Sequence, residues 1–172
     1  PGRPVGVPIA VDQPLPIPFP FRFLGRSASH VDASQPGLLV FDGSPPSARN
    51  TSLPASGGPS GFIAWWWDDL ELAGPAFAWV AGLPGHRVFA LRFDAVKLGA
   101  GPDAVLAVEV RLHEQTGAVV VHYGPLVGSA NVGSASVGWE AAEGDRGADV
   151  LGCAPSCELS SWPAREIHVY RP

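Results

Sequence analysis

The sequence predicts an all-β fold: an antiparallel β-sandwich, jelly-roll-like in outline, of roughly ten short strands joined by long Pro/Gly-rich loops. Three observations predict it. Apolar residues recur at period two in short runs, which is the spacing that places side chains on one face of a strand. Turn residues such as Gln35-Pro36-Gly37 and Pro84-Gly85 separate those runs. The 172 residues include 21 Gly and 19 Pro, so most stretches long enough for a helix are interrupted.

The elements follow in order. Residues 1–18 are Pro-rich and read as an N-terminal arm or edge strand, and residues 19–172 as a single sandwich domain. In the arm, Leu15, Ile17 and Phe19 alternate with Pro, and the alternation continues through Phe21 and Phe23. Proline cannot donate to a ladder, which assigns the arm to a sheet edge. Further strands are read at His30–Ser34, Gly37–Phe41, Phe62–Trp67, Ala76–Ala81, Arg87–Phe93, Val105–His113, Ala118–Tyr123, Ala135–Trp139 and Arg165–Tyr170. A hairpin stands out: Val108, Val110 and Leu112 share a face with Val119, Val121 and Tyr123 across the turn Glu114-Gln115-Thr116-Gly117. A four-residue loop there sets Glu109 opposite His122 as a surface pair. Residues 44–61 read as a long loop.

In this order the segments resemble a family of secreted bacterial β-sandwich domains of surface proteins and lipoproteins, similar to the NIDO domain of nidogen-like matrix proteins. Phe19-Pro-Phe-Arg-Phe-Leu-Gly25 looks like its opening aromatic strand, and residues 30–41 like its next strand, turn and strand. Ile63-Ala-Trp-Trp-Trp-Asp-Asp-Leu70 looks like its most characteristic motif. Arg87–Phe93, the hairpin Val108–Tyr123 and Ala135–Glu140 complete the series. Gln35-Pro36 departs from the Ser-Asn expected of that turn. The resemblance implies an extracellular, modular setting with an adhesive or structural role, and no reaction.

Composition narrows the function classes. Net charge is −5 and the 11 basic residues are scattered, with Lys97 the single lysine. Nucleic acid binding requires clustered cations, so it is set aside. Scarce Lys beside abundant Ala, Gly, Pro and Arg is the usage of a GC-rich bacterial genome. Charged residues are 16%, below the usual ~25%, so either a neighbour covers part of the surface or small residues replace charge. No apolar run is long enough to span a membrane as a helix. The stretch carries no signal segment; the expectation is that one has been removed or lies outside it. Cys153 and Cys157 are the two cysteines, and their spacing points to a local disulfide in an oxidising, extracytoplasmic compartment.

The sharpest local feature is Trp65, Trp66 and Trp67, followed by Asp68, Asp69 and Glu71. Regular alternation sets Trp66 opposite Trp65 and Trp67, with one face in the core and the other covered by loops, sugar or a protein partner. The carboxylates are oxygen ligands of the kind Ca2+ takes, but lack the spacing of a dedicated loop. Asp68 and Asp69 point to opposite faces and do not flank one glycosidic bond. None of the five histidines forms a helical metal-binding pair, and no nucleophile elbow is present. The sequence therefore predicts a non-catalytic structural or adhesive module, self-assembling through edge-strand contacts at Leu15, Ile17 and Phe19. The alternatives are a carbohydrate-binding module using Trp65–Trp67, with glycan as partner, and an enzyme accessory domain.

Overall fold

Period-two patterning is realised as two antiparallel sheets, and the computed structural model describes residues 6–41, 50–54, 61–68, 70–98, 105–127, 131–132, 135–152, 157–158 and 166–172. The first sheet runs in the order β1 (Val7–Ile9), β7 (Ala76–Ala81), β8 (Val88–Leu98), β9 (Val105–His113), β10 (Val119–Tyr123), β15 (Glu166–Tyr170). β6 (Leu70–Leu72) also pairs with β8. The second sheet runs β13 (Gly147–Gly152), β12 (Ser136–Glu140), β5 (Phe62–Trp67), β4 (Leu38–Val40), β3 (Arg26–Ser34), β2 (Pro14–Phe23). A separate ribbon pairs β11 (Asn131–Val132) with β14 (Cys157–Glu158). No described residue is helical, and the architecture is the antiparallel sandwich the sequence predicts.

Alternate residues of each sheet meet in one core. Phe89, Leu91 and Phe93 of β8, with Val108, Val110 and Leu112 of β9, share it with Ile17, Phe19, Phe21 and Phe23 of β2. Each such side chain contributes roughly 1.5–3 kcal/mol of burial. β2 is one continuous strand, so the boundary drawn between residues 18 and 19 falls inside it. The β9–β10 register is as predicted, with Glu109 opposite His122.

A second apolar cluster lies on the other face of the second sheet. Leu38, Val40, Phe62, Ala64 and Trp67 meet there, and Leu53 of the segment 50–54 roofs them. That segment is tied down by Leu53 N donating to Asp149 Oδ2 at 3.2 Å and by Ser136 Oγ donating to the Thr51 carbonyl at 2.8 Å. Strand β5, buried at every position, therefore feeds two cores.

A β-bulge divides β5 between them. The N–H groups of Trp65 and Trp66 both donate to the Gly37 carbonyl, at 2.9 and 3.2 Å. Across the ladder, Ala64 pairs with Gly138 and Trp67 with Ser136, so three steps on β5 match two on β12. The extra residue breaks the alternation. Trp65 and Trp66 both face the main core, and Trp67 turns to the second cluster. This corrects the predicted arrangement, in which Trp65 and Trp67 share a face. Gly37 is obligatory here: its φ is +85°, and a Cβ would lie 1.8 Å from the Trp66 carbonyl oxygen.

One end of the sandwich is clasped by an ion pair. Glu114 Oε2 accepts from Gly85 N, Arg87 N and Arg87 Nε, each at 2.9 Å, while Oε1 accepts from an Arg87 terminal nitrogen at 2.6 Å. The other terminal nitrogen donates to the Pro18 carbonyl on β2 at 2.9 Å. The guanidinium also lies 5.2 Å from the Phe19 ring centroid. The clasp thus joins the first sheet to the edge of the second.

Two tests follow from these geometries. Gly37→Ala should cost about 3 kcal/mol or more in urea unfolding, since strain and a backbone clash coincide. Gly25→Ala, also at positive φ (+82°) but with nothing within 4 Å of its Cβ, should cost only about 1 kcal/mol. The second test is pH. The hydrogen bond from Arg87 holds the Glu114 carboxyl at about 2, against its usual 4.5, with the backbone donors helping and partial burial opposing. Its contribution is full above pH 4.5 and is lost as pH falls through about 2. Glu114→Gln should remove that part of the acid dependence and leave a less stable protein at pH 7.

Candidate functional site

The side chains opposite the main core on the first sheet form an ordered polar face. Register places Phe77, Arg92, Glu109, His122 and Glu166 in one row across five strands. The neighbouring row is Trp79, Ala90, Arg111, Val120 and His168. The first row alternates cation, anion, imidazole and anion beyond its aromatic end. Most of the ion pairs on this face run along a strand, between residues two apart, and His122–Glu166 crosses from β10 to β15.

The pairings are specific. Glu109 is 6% exposed, and its Oε1 accepts from Arg111 Nε at 2.7 Å and from an Arg111 terminal nitrogen at 2.6 Å. Arg92 Nε pairs with Asp94. Glu166 reaches two imidazoles: His168 Nε2 at 2.9 Å and His122 Nε2 at 3.7 Å. Burial, and then the Arg111 charge, push the His113 and His122 imidazoles below their ordinary 6.5. Arg92, Glu109, His122, Gly124 and Pro125 line a shallow hollow of about 230 Å³ on this face.

The residues singled out in the sequence fall elsewhere. Trp65, Trp66 and Trp67 are 0%, 0% and 1% exposed. Trp65 stacks on Phe93 with centroids 4.9 Å apart, Trp66 meets Tyr123 edge-on, and Trp67 meets Phe62 edge-on. The Tyr123 hydroxyl donates to the Trp65 carbonyl. None of these three indoles is presented to solvent, so β5 offers no platform for a sugar ring, and the carbohydrate site expected at Trp65–Trp67 is not formed. Asp68 N donates to the Pro36 carbonyl at 3.1 Å, closing the strand end. In the ladder between β6 and β8, the Glu71 backbone lies opposite that of Lys97. Asp69 lies outside the described residues, and among those described no group of three His, Cys, Asp or Glu could hold a metal ion.

The assembly contact is also corrected. Ile17 and Phe19 are 7% and 4% exposed and Leu15 packs against the same core, so these side chains are occupied within the domain. β2 is indeed an edge strand, pairing among the described strands only with β3. Its Pro14, Pro16, Pro18 and Pro20 are exposed and recur every second residue. The missing N–H groups therefore fall along one edge, the arrangement that blunts pairing with another chain. Cys153 lies outside the described residues, so the predicted disulfide does too; Cys157 opposes Val132 in the ribbon.

The polar rows were missed because Arg92, Glu109, His122 and Glu166 are brought together by non-local pairing. Only the Glu109–His122 step, inside a hairpin, was readable locally.

A double-mutant cycle can measure the row. Arg111→Leu alone strips the partner from a buried carboxylate and should cost about 2 kcal/mol in urea unfolding. Glu109→Leu with Arg111→Leu should recover much of that loss. Additive single effects would show that the two side chains do not act as a pair.

No curated protein and no solved structure matches the chain. Residues 9–161, which take in β2 to β14, match the NIDO-related family. With its aromatic opening strand, its buried Trp-Trp-Trp-Asp strand and its central hairpin all inside that span, the chain belongs to the NIDO-related family.

Proposed function

We propose that the chain is a non-catalytic structural or adhesive module of an extracellular bacterial surface protein. It meets a second copy of itself through the polar face of the first sheet. The observation that carries this reading is the contrast between the two outer faces. That of the second sheet carries an apolar cluster over β4 and β5, roofed by the chain's own Leu53. That of the first sheet sets half-buried Phe77 and Trp79 beside partly exposed Arg92 and Arg111. Aromatic residues and arginine are the types enriched in protein interfaces. Membership of the NIDO-related family supports the extracellular setting.

The experiment is homotypic adhesion. Beads coated with the chain should be retained on a surface coated with the same chain. Retention should be lost in Trp79→Ser/Arg92→Ser and reduced in Arg92→Glu, with the near-ultraviolet circular dichroism of both variants matching the parent. Arg26→Glu, on the second sheet, should retain binding. Absence of retention by the parent, or equal retention by all variants, would refute the reading.

A further inference from the structure

We propose that β15 is an acid-released latch, held on the edge of the first sheet by the histidine–glutamate cluster and loosened when that cluster takes up protons. The inference is independent of any partner and goes beyond the adhesive reading.

Three histidines converge where β15 docks. His113 lies on β9, His122 on β10 and His168 on β15 itself. β10 pairs with β15 over Val119–His122, with His122 opposite Glu166 and Val120 opposite His168. The charged groups on this face are Arg92 and Asp94 from β8, Glu109 and Arg111 from β9, and Glu166 from β15. Arg92 is committed to Asp94, and Arg111 to Glu109. Glu166 is the anion left for the imidazoles, and its Oε1 already lies 2.9 Å from His168 Nε2. Among the described residues the buried His122 Nε2 has no hydrogen-bond partner; it lies 3.7 Å from the other Glu166 oxygen.

Protonation changes the balance. Protonation of His113 and His122 would add two cations beside Arg111 around the Glu166 carboxylate. His113 and His122 are the costly ones, because burial and Arg111 both oppose their charged forms. A base whose affinity for protons is depressed in the closed state stabilises that state above its ordinary range, near 6.5. The stabilisation is lost as pH falls through that range toward the closed-state value. Detaching β15 returns water to the cluster and relieves the penalty locally, without unfolding β8 or β9.

The latch has consequences for the sandwich seam. Tyr170 of β15 meets Phe23 edge-on at 5.0 Å and Trp139 at 5.7 Å, and its hydroxyl accepts from Leu24 N at 3.2 Å. Those three residues belong to the second sheet and its first hairpin turn. Release of β15 therefore loosens the seam and uncovers the Val119–Val121 edge of β10, which carries no proline to blunt it.

Amide hydrogen exchange of the whole chain, followed by NMR at about pH 7.5 and about pH 5.5, tests the latch. After correction for intrinsic rates, protection of Ile167–Tyr170 should fall about tenfold relative to β8 amides at the lower pH. In His113→Gln/His122→Gln that relative fall should vanish. Glu166→Gln, which removes the compensating anion, should move the release to higher pH. A constant ratio of β15 to β8 protection, an equal fall in the double variant, or no shift in Glu166→Gln would overturn the proposal.

Discussion

The Gly37 carbonyl accepts two consecutive N–H groups, from Trp65 and Trp66, and that shared acceptor decides how the second sheet is used. Without the extra residue, β5 would present one tryptophan to one face and two to the other. With it, Trp65 and Trp66 fill the space against Phe93 and Tyr123, and Trp67 seeds a second cluster under Leu53. Strand β5 is buried on both faces and needs cover on both. The first sheet covers one side, and the segment around Leu53 covers the other. The bulge thus selects Trp67, in place of Trp66, to seed the outer cluster under Leu53.

That division depends on register as well. A one-residue slip in β8, β9 or β10 would carry Phe93, Val110 or Val121 outward and bring Arg92, Glu109 or His122 into the core. The bulge between Phe93 and Val96 occurs after the rows have formed, so it lengthens β8 toward β6 without disturbing them. The polar rows are therefore a direct product of the same alternation that builds the core. Glu109 shows the cost: a carboxylate almost out of solvent needs a paired cation, and Arg111 is fixed beside it two residues along β9.

Much of the fold was legible because its signals are local. The hairpin with Glu109 opposite His122, the aromatic face of β2 and the strands around β5 and β8 follow from alternation and turn chemistry. β13 was not read as a strand, since Gly147–Gly152 carries a glycine at each end and little apolar patterning. The Trp65–Trp67 arrangement was misread because a bulge is specified by a distant partner, Gly37, and not by the spacing of the tryptophans. The polar face was illegible for a related reason. Arg92 and Glu166 are 74 positions apart and share a row only through the order β8–β9–β10–β15.

The two ends of this topology are secured by different chemistry. The Arg87–Glu114 clasp places a bidentate, many-donor ion pair across the sheets, and such a pair keeps its charge at any pH above the acid range. The β15 end relies on imidazoles around Glu166, whose charge changes within the range where carboxylates and guanidinium groups do not. Both ends tie the first sheet to β2 or its hairpin, through the Pro18 carbonyl at one and Leu24 N at the other. Acidification short of carboxylate titration therefore acts on one end alone. The sandwich is built to loosen asymmetrically, at the strand that shields the edge of β10, while the clasped end holds the sheets in place.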